Sequence, residues 1–319
     1  MRAYHCHLAI AAVLLINAAG AANAQENPAA QSPSLSAAQE LIPAPHLTRP
    51  PGDRFTPPDE SAISDDEFGD MVRYGKQLFT NTAQLMPEHV GNVLKCVNCH
   101  VDAGKLADSA PMWGAWVSYP AYRKKNKQVN TMAERIQGCF QYSMNGKPPA
   151  NESRELKALL SYMYWMSSGA PTGASLPGRG YPKVAAPDKE PDVERGKLVY
   201  EQHCAVCHGP DGQGQTVGGE QVFPPLWGEN SYNWGAGMHR INTAAAFIQG
   251  NMPLGQPGKL NTQQAWDVAA YLNSFERPQD PRWQGSVQAT DKQFHNHQCL
   301  YGEQLHGDVL GGRETAAAR

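Results

Sequence analysis

The sequence predicts an all-α protein of two small helical units joined by an extended segment rich in proline and glycine. Three observations carry this reading. The pentapeptide Cys96-Val97-Asn98-Cys99-His100 returns as Cys204-Ala205-Val206-Cys207-His208. The phrases that trail it return as well, Pro111-Met112-Trp113-Gly114 as Pro225-Leu226-Trp227-Gly228 and Ile136-Gln137-Gly138 as Ile248-Gln249-Gly250. Each copy then closes on a stretch of helical periodicity.

The pentapeptide is the attachment motif for a c-type haem. Two thiols at this spacing each form a thioether to one haem edge, and the adjacent histidine reaches the iron. A single copy is compatible with a zinc half-site or a redox dithiol; two copies, each ending in histidine, favour haem over either. The units are therefore expected to be cytochrome c-type domains holding two covalently bound haem c groups, through Cys96, Cys99, Cys204 and Cys207, with His100 and His208 on the irons.

The chain has 319 residues, enough for two cores, and a formal net charge of −3. No Lys/Arg cluster suggests a nucleic-acid partner. Residues 1–24 read as a secretory signal. Arg2 supplies the positive end, Leu8 to Ala22 the apolar run, and Ala22-Asn23-Ala24 a small-x-small cleavage site. The run is too short and too alanine-rich for a membrane anchor, and no later segment is long and apolar enough to span a bilayer. The mature protein is accordingly expected in the periplasm. Of the seven cysteines, Cys6 leaves with the signal and four go to haem, so Cys139 and Cys299 remain.

Residues 25–64 form an extension rich in Pro, Ala, Gln and Ser, with Pro43, Pro45, Pro50, Pro51, Pro57 and Pro58 set against a regular element. The first domain, 65–168, opens on a helix marked by Phe68, Met71, Val72, Gly75, Leu78 and Phe79. An extra loop, Thr80 to Asn92, separates it from the haem motif. The domain closes on a helix from about Ser153 to Met166, with Leu156, Leu159, Leu160 and Met163 on one face. Residues 169–191 read as the linker. The second domain, 192–280, opens with Arg195 to Tyr200 and closes on a helix from about Thr262 to Phe275. Its apolar residues are Trp266, Ala269, Ala270 and Leu272, and Thr262 is the expected N-cap. A tail, 281–319, follows. It carries His295, His297 and Cys299, a spacing that invites metal, but nothing else in the sequence converges there, and an exposed polar tail is expected.

A ligating histidine usually donates its other ring N–H to a backbone carbonyl. Carbonyls near Pro111 and Pro225 are the candidates, with Trp113 and Trp227 packed against the macrocycles. In the second domain Met252 lies 44 residues after His208 and is the expected sixth ligand, with Met238 as rival; a thioether ligand raises the haem potential. In the first domain two rules disagree. Counting from His100 favours Met144, again 44 residues on. Aligning the Ile-Gln-Gly phrases brings Cys139 to the iron. Arg135 and Ser143, four residues to either side of Cys139, share its face in a helix, and Arg123 lies upstream. A thiol among cations and a hydroxyl suits an anion-reacting site. The plainer alternatives are a buried structural Cys139, a Cys139–Cys299 disulfide, and a solvated basic run from Arg123 to Lys127.

The phrases Tyr122-Arg123, Arg135-Ile136-Gln137-Gly138-Cys139-Phe140, Ser143-Met144-Asn145-Gly146-Lys147-Pro148 and Asn251-Met252-Pro253, with the two haem motifs, resemble the thiosulfate dehydrogenases. These are dihaem c-type cytochromes related to the Sox-type thiosulfate-oxidising cytochromes. The resemblance spans about Asp65 to Pro278. It implies His100 and Cys139 as axial ligands of an active haem and His208 with Met252 at an electron-transfer haem. It also implies Arg123, Arg135 and Ser143 as substrate-holding groups. Some relatives carry Lys beside the axial Met; Asn251 here implies a fixed Met252. The implied reaction joins two thiosulfate ions into tetrathionate, with the reverse direction also open to it, and hands two electrons to a partner cytochrome. Two other functions fit the residues: a plain electron carrier with Met144 on the first iron, and an oxidoreductase for a different sulfur anion.

Overall fold

The computed structural model describes residues 54–313, so the expected signal and most of the Pro-rich extension lie outside the described part. Two sets of helices frame the two haem motifs. The first set is α1 (Glu67–Thr80), α2 (Met112–Trp116), α3 (Met132–Tyr142) and α4 (Arg154–Met166). The second is α5 (Val193–His203), α6 (Ile241–Asn251) and α7 (Thr262–Asn273). Among the described residues strands are confined to three antiparallel pairs: β1 (Ala121–Arg123) with β2 (Gln128–Asn130), β3 (Gln215–Val217) with β4 (Glu220–Phe223), and β5 (Gln304–Leu305) with β6 (Asp308–Val309). Among the described residues no helix is long and apolar enough to cross a membrane.

The internal repeat is a packing device. In the first half α1 crosses α4 at Gly75, where an added Cβ would lie 2.0 Å from the Ala158 carbonyl oxygen and 2.8 Å from the Tyr162 Cβ. In the second half α5 crosses α7 at Gly196, where it would lie 2.0 Å from the Asp267 carbonyl oxygen and 2.8 Å from the Tyr271 Cβ. Backbones this close leave no room for a side chain, so glycine is required at both crossings. Around them lie two apolar cores, one with Val72, Leu78, Phe79, Leu156 and Leu159, the other with Val199, Tyr200, Trp266, Ala269 and Leu272.

Helix starts follow local chemistry. Asp66 caps α1 by accepting the Gly69 N–H, Ser153 caps α4, and Thr131 with Glu134 forms a capping box on α3. The cap of α7 is Asn261, reciprocated by Gln264, and not Thr262, which is the first helical residue. Phe68 is largely exposed, packed edge-on against Tyr164, because the buried face of α1 runs through Gly69, Val72 and Gly75. The expected loop 80–92 contains a short helix, Thr82–Leu85, and buries Met86.

Residues 170–190 contain no helix or strand, yet they are tied down along their length. Gly178 and Gly180 carbonyls accept from Asp108 and Ala110, Arg179 donates to Ser118, and Trp266 donates to the Ala185 carbonyl. The two halves also meet directly. Buried Asn233 donates to the Gln141 carbonyl at 2.9 Å and to Asn145 at 3.0 Å. Buried Asn251 donates to the Asp108 carbonyl at 3.0 Å. The tail departs from expectation: Trp234, Tyr301 and Leu310 form a third small core, and His295 is buried.

Candidate active site and haem sites

A cavity of about 460 Å³ opens in the first half. Cys96, Cys99 and His100 line it, with Phe79, Leu94, Met112, Ile136, Phe140, Leu159 and Met163 as apolar walls. His100 Nδ1 lies 2.8 Å from the Ala110 carbonyl oxygen, one residue before Pro111. In the second half His208 Nδ1 lies 2.9 Å from the Pro224 carbonyl oxygen, one residue before Pro225. Each bond fixes the ring with Nε2 free to ligate. Burial pushes His100 down to about 4 and lowers His208, so both are neutral imidazoles, the ligating form.

The cysteines of both motifs also fit. Burial pushes Cys96, Cys99 and Cys204 up to about 12, an environment that suits neutral sulfur, as in a thioether, rather than a thiolate. Thr82, fully buried, accepts the Cys96 N–H at 3.1 Å and lies 3.3 Å from its sulfur. Thr82 carries no motif of its own in the sequence and is recognised only through this contact.

Cys139, Arg135 and Ser143 face the same cavity, as expected for neighbours one turn apart along α3, with Ser143 as its C-cap. The Arg135 guanidinium donates to the Cys139 sulfur at 2.8 Å. The Cys139 sulfur is the main influence on Arg135, outweighing burial, and raises it further above its ordinary value. Arg123, at the end of β1, lines the cavity and donates to the Tyr119 hydroxyl. The basic run that follows is not simply solvated. Lys125 donates to the Gly235 carbonyl at 2.5 Å and lies 3.9 Å from the centre of the Tyr142 ring, and burial pushes it down to about 7.

A third guanidinium, Arg179, reaches the cavity from the segment expected to be only a linker, and donates to Ser118 at 2.6 Å. Lys95 lines the cavity as well. Cationic groups thus line the cavity that holds the Cys139 sulfur, an arrangement that concentrates anions. Met144 is buried in the wall of the same cavity. Cys139 and Cys299 are both free thiols; Cys299 instead lies against His295.

In the second half Met252 follows the last residue of α6 and packs with Cys204, Leu226 and Met238 against the core. Trp227 stacks on Phe275, with ring centres 4.3 Å apart. In the first half Trp113 is fully buried and donates to the Lys105 carbonyl at 2.9 Å.

Residues 88–172 match the SoxA/TsdA cytochrome c domain family, and residues 193–276 match the cytochrome c family. The thiosulfate dehydrogenase of Stutzerimonas stutzeri is 55% identical over 260 residues, 81% of this chain and 85% of that protein. That of Thiomonas intermedia is 55% identical over 82% of this chain and 83% of its own length. The solved thiosulfate dehydrogenase (TsdBA) of Marichromatium purpuratum superposes with a TM-score of 0.79 at 53% identity. That match covers 82% of this chain, which spans 58% of the solved chain. With a haem motif in each matched domain, the chain carries two covalently bound haem c groups.

Proposed function

The chain belongs to the thiosulfate dehydrogenase family, and from that premise we propose that it oxidises two thiosulfate ions to tetrathionate at Cys139. The observation that carries this is the Arg135–Cys139 contact of 2.8 Å inside the cavity that also holds Cys96, Cys99 and His100. His100 and Cys139 are assigned to the first iron, and His208 and Met252 to the second. In this reading residues 65–168 are the catalytic unit, 192–280 the electron-transfer unit, and 169–191 the strap between them.

The chemistry is a sulfur–sulfur coupling between two dianions that repel each other. One pair of unit charges at 4 Å contributes about 4 kcal/mol at an effective dielectric near 20. Arg135, Arg123 and Arg179 offset that repulsion, and a guanidinium matches a sulfonate face with two parallel donors. Ser143 supplies a further hydroxyl. The Cys139 thiolate bonds to the outer sulfur of the first thiosulfate as two electrons leave. The second thiosulfate attacks that same outer sulfur and displaces the Cys139 thiolate, which is thereby restored. Two thiosulfates give one tetrathionate and two electrons, and the displacement is reversible in principle. When bound, the two haems supply the acceptor for those electrons, which then pass to a partner cytochrome. We place the mature protein in the periplasm, where covalent haem attachment and export agree.

Product analysis tests the reading. The full-length dihaem protein, given thiosulfate and a one-electron acceptor, is expected to yield one tetrathionate per two thiosulfates consumed. Sulfite, sulfate or a persulfide as main product would replace this reaction with another sulfur-anion oxidation.

A further inference from the structure

The tail brings a second set of ligating side chains together, far in sequence from either haem motif. His239, His295, His297 and Cys299 each offer one ligand atom, and these four atoms lie within 4.8 Å of one another. His239 and His295 are buried, with exposures of 1% and 2%, and His297 and Cys299 are half-buried. His239 sits just ahead of α6, so the cluster joins the tail to the second haem unit. The backbone reinforces the joint, since the Ile241 N–H donates to the Gln298 carbonyl at 3.0 Å.

We propose that these four residues form a closed, structural zinc site of three nitrogens and one sulfur, which fastens residues 295–299 onto the start of α6. Two of the rings are already oriented for it. His239 Nδ1 is engaged by the Ala236 carbonyl, which leaves Nε2 for a metal. His295 Nε2 is held by the buried Asp280 carboxylate at 3.0 Å, which leaves Nδ1 facing the Cys299 sulfur at 3.8 Å. A carboxylate or carbonyl behind each ligating histidine is the arrangement that fixes tautomer and raises ligand basicity. His239 Nε2 and His297 Nε2 stand 2.8 Å apart, converging on one point. The segment Asp291–His295 is a π-helical turn, a local distortion that recurs at functional sites, and it turns His295 inward.

Chemistry selects the metal. Three imidazoles and a thiolate with no open position match tetrahedral Zn²⁺ in a structural role. Binding releases one proton, from Cys299, and involves no redox change. The Cys299 thiolate balances one charge of the cation. Asp280, shared with Arg282, lies behind His295.

The test is metal analysis of the full-length dihaem protein, incubated with Zn²⁺ and then desalted. One zinc per two irons is expected, with a zinc K-edge absorption spectrum showing three nitrogens and one sulfur. Cys299→Ser and His297→Gln are expected to keep both haem spectra and to bind zinc at least about tenfold more weakly. A wild-type protein that holds no zinc after this treatment overturns the assignment. So does a K-edge spectrum without sulfur, zinc content unchanged in both variants, or a different metal at one per chain in this cluster.

Discussion

Arg135 holds the sulfur of Cys139 from one helical turn away, Nη1 to Sγ 2.8 Å, inside the cavity that His100 enters from the haem motif. One helix thus delivers both the sulfur and the cation that steadies it. Because a guanidinium donates in a fixed plane and an ammonium does not, Arg135→Lys is not a conservative change here. Its kcat/KM for thiosulfate is expected to fall about 10- to 100-fold, and that of Arg135→Gln further. Steady-state kinetics on both variants check this; equal activity in the Lys variant would remove the planar contact from the account.

Arg179 is expected to act on binding more than on chemistry, since it reaches the cavity from the strap and donates to Ser118 rather than to Cys139. Arg179→Ala is expected to raise KM up to about tenfold with kcat nearly constant, and to weaken the salt dependence of kcat/KM. A fall in kcat with unchanged KM would place Arg179 at the reacting sulfur instead.

These two arginines show what the sequence disclosed and what it hid. Arg135 was legible because its spacing from Cys139 is a helical turn and α3 is a well-capped helix. Arg179 was not, because it lies in a segment without helix or strand, where periodicity says nothing about direction. The same division holds for the fold. The repeat announced both helix pairs, and Gly75 and Gly196 turn out to be the crossing points. His239 gave no signal toward His295 and His297, because a ligand set 56 residues apart in sequence is visible only once the tail folds back. Asn261 and Thr262 are both plausible caps by residue type, and only the reciprocal bond from Gln264 separates them.

A stability prediction concerns Asp267, which is buried beneath Arg195 Nε and Nη2, both at 2.8 Å. Burial alone would raise this carboxyl. Hydrogen bonds from Arg195, the Asp192 amide and Gln263 outweigh burial and hold it below the usual carboxylate range. A carboxylate depressed in the folded state stabilises above its unfolded pKa, near 3.9, and that stability is lost as pH falls through the folded value. Asp267→Asn is expected to cost about 1 kcal/mol at neutral pH, because the Arg195 partner is screened by solvent, and to show a shallower loss of Tm below about pH 4 than the wild type. Thermal melts across that range decide it.

Met252 and Met238 pack against the same core, so their roles separate by potential. Met252→Ala is expected to lower the potential of the second haem, because a thioether ligand raises it. Met238→Ala is expected to leave it in place. A redox titration in which only Met238→Ala shifts that potential would exchange the two residues.

The central claim is that Cys139 is the reacting sulfur, and reduction of the haems by thiosulfate, followed optically without any other donor, tests it most directly. The wild type is expected to reduce on mixing. Cys139→Gly, with both haems still attached, is expected to reduce at least about 100-fold more slowly, as for loss of a covalent nucleophile. Reduction by Cys139→Gly at the wild-type rate would contradict the account, and buried Met144 would then be the side chain to assign to the first iron.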